Sequence, residues 1–303
     1  MHAPYNTAEV SVNPRTGEVY FLPYEVRIRN GYTDFRVPKP KGKPPTPRGD
    51  RKAITTFSAS SRLNLFKKFF SLSKPPDCFV SLTYPGDFPH DASIWKRHFD
   101  IFSHRLYRKF PKSWFGWRLE PQKRCAPHFH LIGSLGEYVS FPLLARWLSQ
   151  TWYEVVGSGD VHHLRVGTNL RFLRDPEHVY RYVCKYLSKF SVSGLPDWAR
   201  PGRYWGFTGK KNMPPSPCCH VLVSRDTYYK LRRLVRKWQA HLPFSRRSAS
   251  SSRYAKRLKK MNSFFILADH RQILNQLEFT LGFSLSIDTL SQSAFDFSQP
   301  VPF

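Results

Sequence analysis

The feature that most constrains this chain is a pair of short alternating runs, WFGWRLE and PHFHLIG, joined by the polar segment PQKRCA. Successive side chains of a β-strand point to opposite faces, so His128 and His130 share one face while Phe129 and Leu131 lie on the other. The short polar connection indicates an antiparallel hairpin. One face of this hairpin is therefore suited to packing and the other to binding.

The elements around the hairpin predict an α+β fold. CFVSLTYP (78–85) and CHVLVS (219–224) have the composition of strands, and HHLRVG (162–167) is a possible further strand. Apolar residues recur at helical spacing in four further segments, 61–72, 92–110, 141–156 and 176–190. This order predicts an RRM- or ferredoxin-like antiparallel sheet, with the His-x-His strand central and helices on one face.

The chain divides into three parts by composition. Residues 1–50 hold one strand-like run, EVYFLPYEVRIRN, followed by a linker rich in proline and lysine. Residues 51–225 contain the regular elements and form the predicted main domain. Residues 226–303 are predicted to be a basic helical C-terminal region, with a helix over 226–241 and a partly disordered tail.

The charge of the chain is strongly positive. Lys and Arg number 48 against 21 Asp and Glu, which gives a formal net charge of +27. Because 41% of the residues are hydrophobic, the chain can also bury a core, so it is a folded protein rather than a basic tail. A polyanion is the expected partner, and nucleic acid is the commonest one. An anionic membrane surface is the weaker alternative, since a basic amphipathic helix can lie on lipid.

The five cysteines and the absence of long apolar runs indicate where the protein works. The cysteines form no Cys-x-x-Cys pair and no regular framework, which is typical of reduced thiols in a cytoplasm. Cys218 and Cys219 lack partners at zinc spacing. The sequence has no signal-peptide core and no apolar stretch of membrane-spanning length. We therefore expect an intracellular protein with no membrane partner.

The helical segment HVYRYVCKYLSKF (178–190) concentrates reactive side chains. At 100° per residue, Tyr182, Tyr186, Lys185 and Lys189 fall on one stripe, which His178 also shares. The apolar residues of the segment fall to one side of this stripe, and they include Tyr180, which we expect in the core. Two phenols beside two ammonium groups favour attack of a tyrosine on a DNA phosphodiester, with the lysines stabilising the phenolate or the pentavalent phosphate.

Such an attack requires a divalent cation to polarise the phosphate, and the hairpin offers ligands for one. His128 and His130 are the predicted ligand pair, with Mg²⁺ or Mn²⁺ as the expected ion. Glu120 is the nearest carboxylate able to reach the same face and is inferred as the third ligand. The register of the hairpin is open at this point, and Glu120 can instead pair with Arg118 or Lys123.

In this order and at this separation, the segments resemble the HUH endonucleases, the rolling-circle replication initiators of bacterial plasmids and small single-stranded DNA phages. CFVSLTYP is similar to their first motif, and EPQKRCAPHFH (120–130) to their metal-binding motif with its upstream glutamate. YRYVCKYLSKF (180–190) is similar to their third motif, and its two tyrosines resemble those of the two-tyrosine microvirus-like initiators. GRYWGFTG (202–209) is also similar to these proteins. Cys125 departs from the family, because many relatives have glycine in this hairpin turn.

The resemblance implies both an activity and partners. It makes residues 51–225 an HUH endonuclease domain that nicks origin DNA, forms a 5′-phosphotyrosine link, leaves a free 3′-OH for a host polymerase, and later rejoins the ends. The sequence has no Gly-x-x-x-x-Gly-Lys-Ser/Thr segment, so strand separation is expected to need a host helicase. The implied location is the cytoplasm of a bacterial host.

Two alternatives stay open. A relaxase or HUH transposase uses the same chemistry, although relaxases usually carry three histidines and place their tyrosines near the N-terminus. A non-catalytic protein that binds single-stranded DNA would need only the charge and the aromatic residues. Trp205 and Phe207 can stack on bases or pack in the core, and His162 and His163 are expected to be structural or to contact DNA.

Overall fold

We describe the chain from a computed structural model. It describes residues 8–12, 19–37, 54, 56–173, 179, 182–183, 185, 196–241, 256, 258–266, 268, 270–282 and 287–288, with backbone only for 8–12, 19–23, 241 and 287–288. The predicted linker after residue 37 and most of the predicted C-terminal tail lie outside these residues, as do Tyr186 and Lys189. The described residues form an α+β protein with two antiparallel sheets, which confirms the predicted fold class.

The chain separates into two compact units. The central unit comprises residues 49–69 and 74–214, and the terminal unit comprises residues 1–48, 70–73 and 215–303. Strands from the predicted N-terminal segment and helices from the predicted C-terminal region are thus parts of one unit. All the candidate site residues belong to the central unit.

The central unit is built on a five-stranded sheet. Along the chain its elements are α1 (Ala59–Phe70), β4 (Cys78–Thr83), α2 (Ala92–Lys109), β5 (Trp114–Pro121), β6 (Pro127–Ser134), α3 (Phe141–Val156), α4 (Val161–Val166), β7 (Thr168–Phe172) and β8 (Trp205–Thr208). The spatial order is β7-β4-β6-β5-β8, and every pair is antiparallel. The His-x-His strand β6 is therefore central, as predicted. From β4 to β7 the elements follow the β-α-β-β-α-β order, with α4 inserted before the last strand, and the narrower RRM likeness stays a prediction.

Helices α2 and α3 cover one face of this sheet. Asp91 caps α2 by accepting a hydrogen bond from the Ser93 amide at 2.8 Å, and Gly157 ends α3 with a left-handed φ of 64°. Phe99 of α2 stacks on Phe129 of β6 with ring centroids 4.5 Å apart. The apolar alternation of the hairpin thus faces this core, whose largest members are Trp95, Phe99, Phe102, Phe115, Phe129 and Trp152.

The opposite face of the central sheet carries the polar residues of the alternating strands. Helix α1 also contacts this face, because the Phe69 ring packs 5.5 Å from the Phe207 ring over Gly116. A Cβ at Gly116 would lie 2.4 Å from a Phe69 ring atom, so the close approach requires glycine there. Helices therefore contact both faces, although the two long ones share the predicted face.

The hairpin turn explains the unusual cysteine of the sequence. Cys125 has a φ of 63° and is the only residue other than glycine with a positive φ in the described part of the chain. Its amide donates to the Gln122 carbonyl, and the Gln122 amide donates to the Ala126 carbonyl, both at 2.8 Å. The turn thus needs a left-handed residue at the position where relatives of the resembled family often have glycine.

One predicted strand is wrong. HHLRVG forms the short helix α4 rather than a strand, because the Asp160 side chain caps its first turn by accepting from the His162 amide at 2.8 Å. The strand that pairs with β4 begins at Thr168, immediately after this helix.

The terminal unit forms around a second antiparallel sheet. Its elements are β1 (Ala8–Val12), β2 (Val19–Arg29), β3 (Tyr32–Arg36), β9 (Cys218–Val223), α5 (Arg225–His241), β10 (Ser263–Phe265), α6 (His270–Leu281) and β11 (Ile287–Asp288). The sheet order is β10-β3-β2-β9-β11, with β1 paired to β2. Helices α5 and α6 pack on it through Leu231, Val235 and Leu277, all fully buried. None of the helices in either unit, over the residues described, is long and apolar enough to cross a membrane.

Candidate active site

The register of the hairpin decides which polar residues meet. Glu120 pairs with His128 and Arg118 pairs with His130 across β5 and β6. Because paired residues of an antiparallel ladder point to the same side, all four side chains lie on the face opposite α2 and α3. The two histidine rings are 4.4 Å apart between centroids and nearly perpendicular. The predicted common face for the two histidines is confirmed, and the open register places Glu120 beside them.

His128 is held by a residue from the neighbouring strand. Thr83, the last residue of β4, is its cross-strand partner, and Thr83 Oγ1 lies 2.8 Å from His128 Nδ1. Two buried side chains fix the Thr83 carbonyl, because Trp152 Nε1 donates to it at 2.8 Å and His163 Nε2 lies 2.9 Å from it. Burial lowers the pKa of His163, which favours its neutral form. These contacts leave Nε2 as the nitrogen of His128 that points away from Thr83.

Glu120 contacts the second histidine directly. Its Oε2 atom lies 3.2 Å from His130 Nε2, and the His130 side chain is only 3% exposed. Two neighbouring ligand atoms of an octahedral Mg²⁺ are separated by about 3.0 Å, since each bond is about 2.1 Å long. The spacing of this pair and the mixed nitrogen and oxygen donors therefore fit a small divalent cation. Over the described residues, however, no cluster of three His, Cys, Asp or Glu side chains already has the arrangement of a metal site.

Arg118 adds a buried positive charge to this face. Its side chain is fully buried, and its Cζ lies 4.7 Å from the centroid of the Phe57 ring. Burial lowers the pKa of Arg118 to about 10, although the Glu120 carboxylate opposes this shift. The guanidinium therefore remains cationic at pH 7, and its charge favours an ionised Glu120.

The helical segment with the tyrosines packs against the same face. Val179, Tyr182, Val183 and Lys185 are all helical, and we call them the tyrosine helix. Val179 and Val183 are buried, while Tyr182 is half-buried and Lys185 is exposed, so the predicted apolar and polar sides are confirmed for these four residues. Tyr186 and Lys189 continue the predicted stripe outside the described residues.

One aromatic residue lies between Tyr182 and the histidines. The Phe79 ring of β4 is 4.9 Å from the Tyr182 ring and is stacked 5.8 Å from the His130 ring. Tyr182 also lines a surface cavity of about 470 Å³ at the edge strand β7, together with Asn169 and Arg171. The tyrosine therefore has open space on one side and the histidine face on the other.

Other predicted residues have separate positions. His163 is buried and structural, whereas His162 is exposed at the start of α4. Trp205 and Phe207 lie half-buried on β8 with their rings 6.2 Å apart, and Phe207 packs on Phe69. The described cysteines form no disulfide.

Sequence reasoning missed Thr83, Arg118 and Phe79 as parts of this face. A signal for two of them was present, because Ser81 and Thr83 alternate with apolar residues in CFVSLT, as do Arg118 and Glu120 in WFGWRLE. The pattern gives their face, but no pattern in the sequence gives the pairing of Thr83 with His128.

The chain is similar to known replication proteins. Residues 77–191 match a family of replication-associated proteins whose description includes ORF2. The chain is also 25% identical over 204 residues to a replication-associated protein of Pseudomonas phage Pf3, and this similarity covers 64% of this chain and 71% of the phage protein. No solved structure matches the chain. The family match spans all the candidate site residues, and these similarities support a replication-associated protein.

Proposed function

We propose that this chain is a rolling-circle replication initiation protein of the HUH type, with two nucleophilic tyrosines, that nicks single-stranded origin DNA. The observation that carries the proposal is the common sheet face, on which the hairpin holds His128, His130 and Glu120 while Tyr182 packs beside them through Phe79. The similarity to replication-associated proteins and the charge of +27 support it.

The polar residues of this face bind and orient the scissile phosphate. His128, His130 and Glu120 would hold Mg²⁺ or Mn²⁺, which supplies the positive charge that polarises the phosphate and stabilises its transition state. Thr83 fixes the ring of His128, and Arg118 keeps the Glu120 carboxylate ionised. Lys185 and Lys189 stabilise the phenolate of the attacking tyrosine.

Cleavage and rejoining are the same reaction in opposite directions. The phenolic oxygen forms a bond to phosphorus, the bond from phosphorus to the 3′ oxygen breaks, and the departing 3′ oxygen takes up a proton. The products are a 5′-phosphotyrosine ester and a free 3′-OH that a host polymerase extends. Later a 3′-OH attacks the phosphotyrosine, and the phenol leaves as the strand is resealed. A host helicase separates the strands, and the reaction takes place in the cytoplasm of a bacterial host.

The order of the segments favours an initiator over the other proposed classes. The histidines precede the tyrosines in the chain, and only two histidines lie on the β6 face, unlike the usual relaxase pattern. A transposase would use the same residues, so the substrate decides between these two. A non-catalytic DNA-binding protein requires no tyrosine beside the histidine face.

The decisive experiment is a covalent-adduct assay. The protein is incubated with Mn²⁺ and tiled single-stranded fragments of the DNA element that encodes it, and products are separated on a denaturing gel. We expect one origin fragment to yield a protein–DNA adduct and a shorter strand with a 3′-OH. Chelation of the cation and either His128→Ala or His130→Ala should abolish the adduct while DNA binding persists, because charge-driven binding does not need the cation.

The tyrosines are tested by removal of single oxygen atoms. Tyr182→Phe and Tyr186→Phe should each retain single-round nicking, and the double variant should retain none. Neither single variant should sustain repeated rounds on a circular template, because each round needs both nucleophiles. Tyr180→Phe is the matched control, since it makes the same change on the apolar side of the segment.

Two outcomes would contradict the proposal. If no fragment yields an adduct although the protein binds single strands tightly, the chain is a binding protein. If one single variant loses all cleavage and the other cycles like the parent, the chain uses one tyrosine.

A further inference from the structure

A second cluster of aromatic and basic residues lies at the end of the sheet that carries Thr83, Glu120 and His128. The loop after β4 contributes Phe88 and His90, and a short 3-10 helix at Asp197–Ala199 contributes Trp198. The His90 and Trp198 rings are stacked, with centroids 4.4 Å apart and planes 18° from parallel. His90 is exposed, so one face of this stack is open to solvent.

The stack is held rigidly from below. The Trp198 ring packs edge-on against Trp95, which is fully buried in the core, and Trp95 Nε1 donates to the Pro89 carbonyl at 2.6 Å. Phe88 lies 5.1 Å from His90 by ring centroids, and Arg124 stacks over Phe88 at 5.1 Å. A rigid aromatic surface costs little entropy when a flat ligand stacks on it.

The cluster is linked to the hairpin that carries the candidate site. The Arg124 guanidinium donates to the Tyr84 and Gly86 carbonyls at 3.0 and 2.8 Å. Arg124 belongs to the hairpin turn between Glu120 and His128, and Tyr84 directly follows Thr83. The aromatic stack is therefore fixed with respect to the residues proposed to hold the scissile phosphate.

Two cations lie close together beside the stack. Lys96 is on α2 near the Trp198 loop, and a Cβ at Gly202 would be 3.7 Å from its Nζ atom. The pKa of Lys96 is lowered, first by partial burial and then by repulsion from Arg203, while Asp100 opposes the shift. A phosphate between the two cations would relieve this repulsion. Arg200, in contrast, is paired with Asp197.

We propose that His90 and Trp198, with Lys96 and Arg203, form a nucleotide subsite for the single-stranded DNA that runs to or from the cleavage site. The base stacks on the outer face of His90, and an adjacent phosphate binds between Lys96 and Arg203. Aromatic stacking beside paired cations is the way proteins hold single strands with little sequence preference. This inference rests on the proposed function for the identity of its ligand, but it concerns residues that take no part in the chemistry.

The test compares two strands of equal charge. Affinity is measured for an oligothymidylate of roughly 12 nucleotides and for an abasic deoxyribose-phosphate strand of the same length. His90→Ala should weaken binding of the oligothymidylate at least about fivefold and leave binding of the abasic strand unchanged, because only the first strand can stack. Lys96→Gln and Arg203→Gln should weaken both strands and reduce the salt slope by about 0.7 each. Replacements on α2 away from the cluster, His104→Ala and Lys109→Gln, serve as matched controls.

The two proposals fail separately. Binding is measured with the Tyr182→Phe, Tyr186→Phe double variant as well, so it does not depend on cleavage. If the parent nicks DNA but His90→Ala binds both strands as the parent does, the subsite is wrong and the endonuclease stands. Equal weakening of both strands by His90→Ala would also overturn the stacking role, and unchanged melting of each variant excludes a folding defect.

Discussion

At the scale of single residues, the candidate site depends on contacts that orient its histidines. Thr83 is the clearest case, because its hydroxyl bonds to His128 Nδ1 and its carbonyl is fixed by Trp152 and His163. An imidazole that binds a cation through one nitrogen is usually oriented through the other. Thr83 is thus a positioning residue, which acts on the phosphate through His128.

Removal of the Thr83 hydroxyl should therefore slow cleavage without unfolding the protein. We expect Thr83→Val to lower the single-turnover cleavage rate by about 10- to 100-fold, because the His128 ring loses its hydrogen bond. Thr83→Ser keeps the hydroxyl and should cleave at close to the parent rate, with both variants melting near the parent. Equal rates for Thr83→Val and the parent would show that Thr83 does not position His128.

At the scale of elements, the β5–β6 hairpin determines the geometry of the site. Its two strands approach unusually closely where Gly133 pairs with Phe115, since a Cβ on Gly133 would lie 1.9 Å from the Trp114 carbonyl oxygen. The clash would be with the backbone of the partner strand, which cannot move without changing the register. The glycine of PHFHLIG is therefore required by the pairing.

Gly133→Ala should destabilise the protein by about 3 kcal/mol, because the methyl group forces the two strands apart. The matched control is Gly86→Ala, where the added Cβ would have no heavy atom within 4 Å, and the expected change there is below about 0.5 kcal/mol. Urea unfolding followed by tryptophan fluorescence measures both changes. Similar unfolding free energies for the two variants would mean that the hairpin can adjust to a side chain at 133.

At the scale of the whole molecule, the positive charge is distributed over both units. Helix α5 buries Tyr228, Leu231 and Val235 in the terminal unit and exposes a basic row on its other side. The row consists of Lys230, Arg233 and Lys237. A truncation before this helix would remove part of a core, so substitution of the exposed row is the sharper way to test its role in DNA binding.

Replacement of Lys230, Arg233 and Lys237 by glutamine should weaken binding of single-stranded DNA and flatten its salt dependence. Each lost phosphate contact lowers the slope of log affinity against log salt by about 0.7. An equal loss of charge at Arg108, Lys109 and Lys112 of the central unit is the control. If the two triple variants lose the same affinity, the net charge rather than the α5 surface drives binding.

Much of the fold and part of the site follow from local patterns. The period-two alternation of PHFHLIG assigned His128 and His130 to one face, and helical periodicity gave α2, α3 and α5 within a few residues. HHLRVG was misread because a capped short helix and a short strand share the same few apolar positions. The helical stripe put Tyr182 and Lys185 on the polar side, with Val179 and Val183 buried, as the structure has them.

The sequence by itself determined which residues share a face, because side-chain direction in a strand or helix depends only on local backbone geometry. Only the tertiary structure decided which faces and strands meet. It paired Thr83 and Glu120 with His128, buried Arg118 beside them, and joined strands from the first forty residues to helices beyond residue 225. These contacts join residues far apart in the chain or depend on register, which is selected by the packing of the whole core.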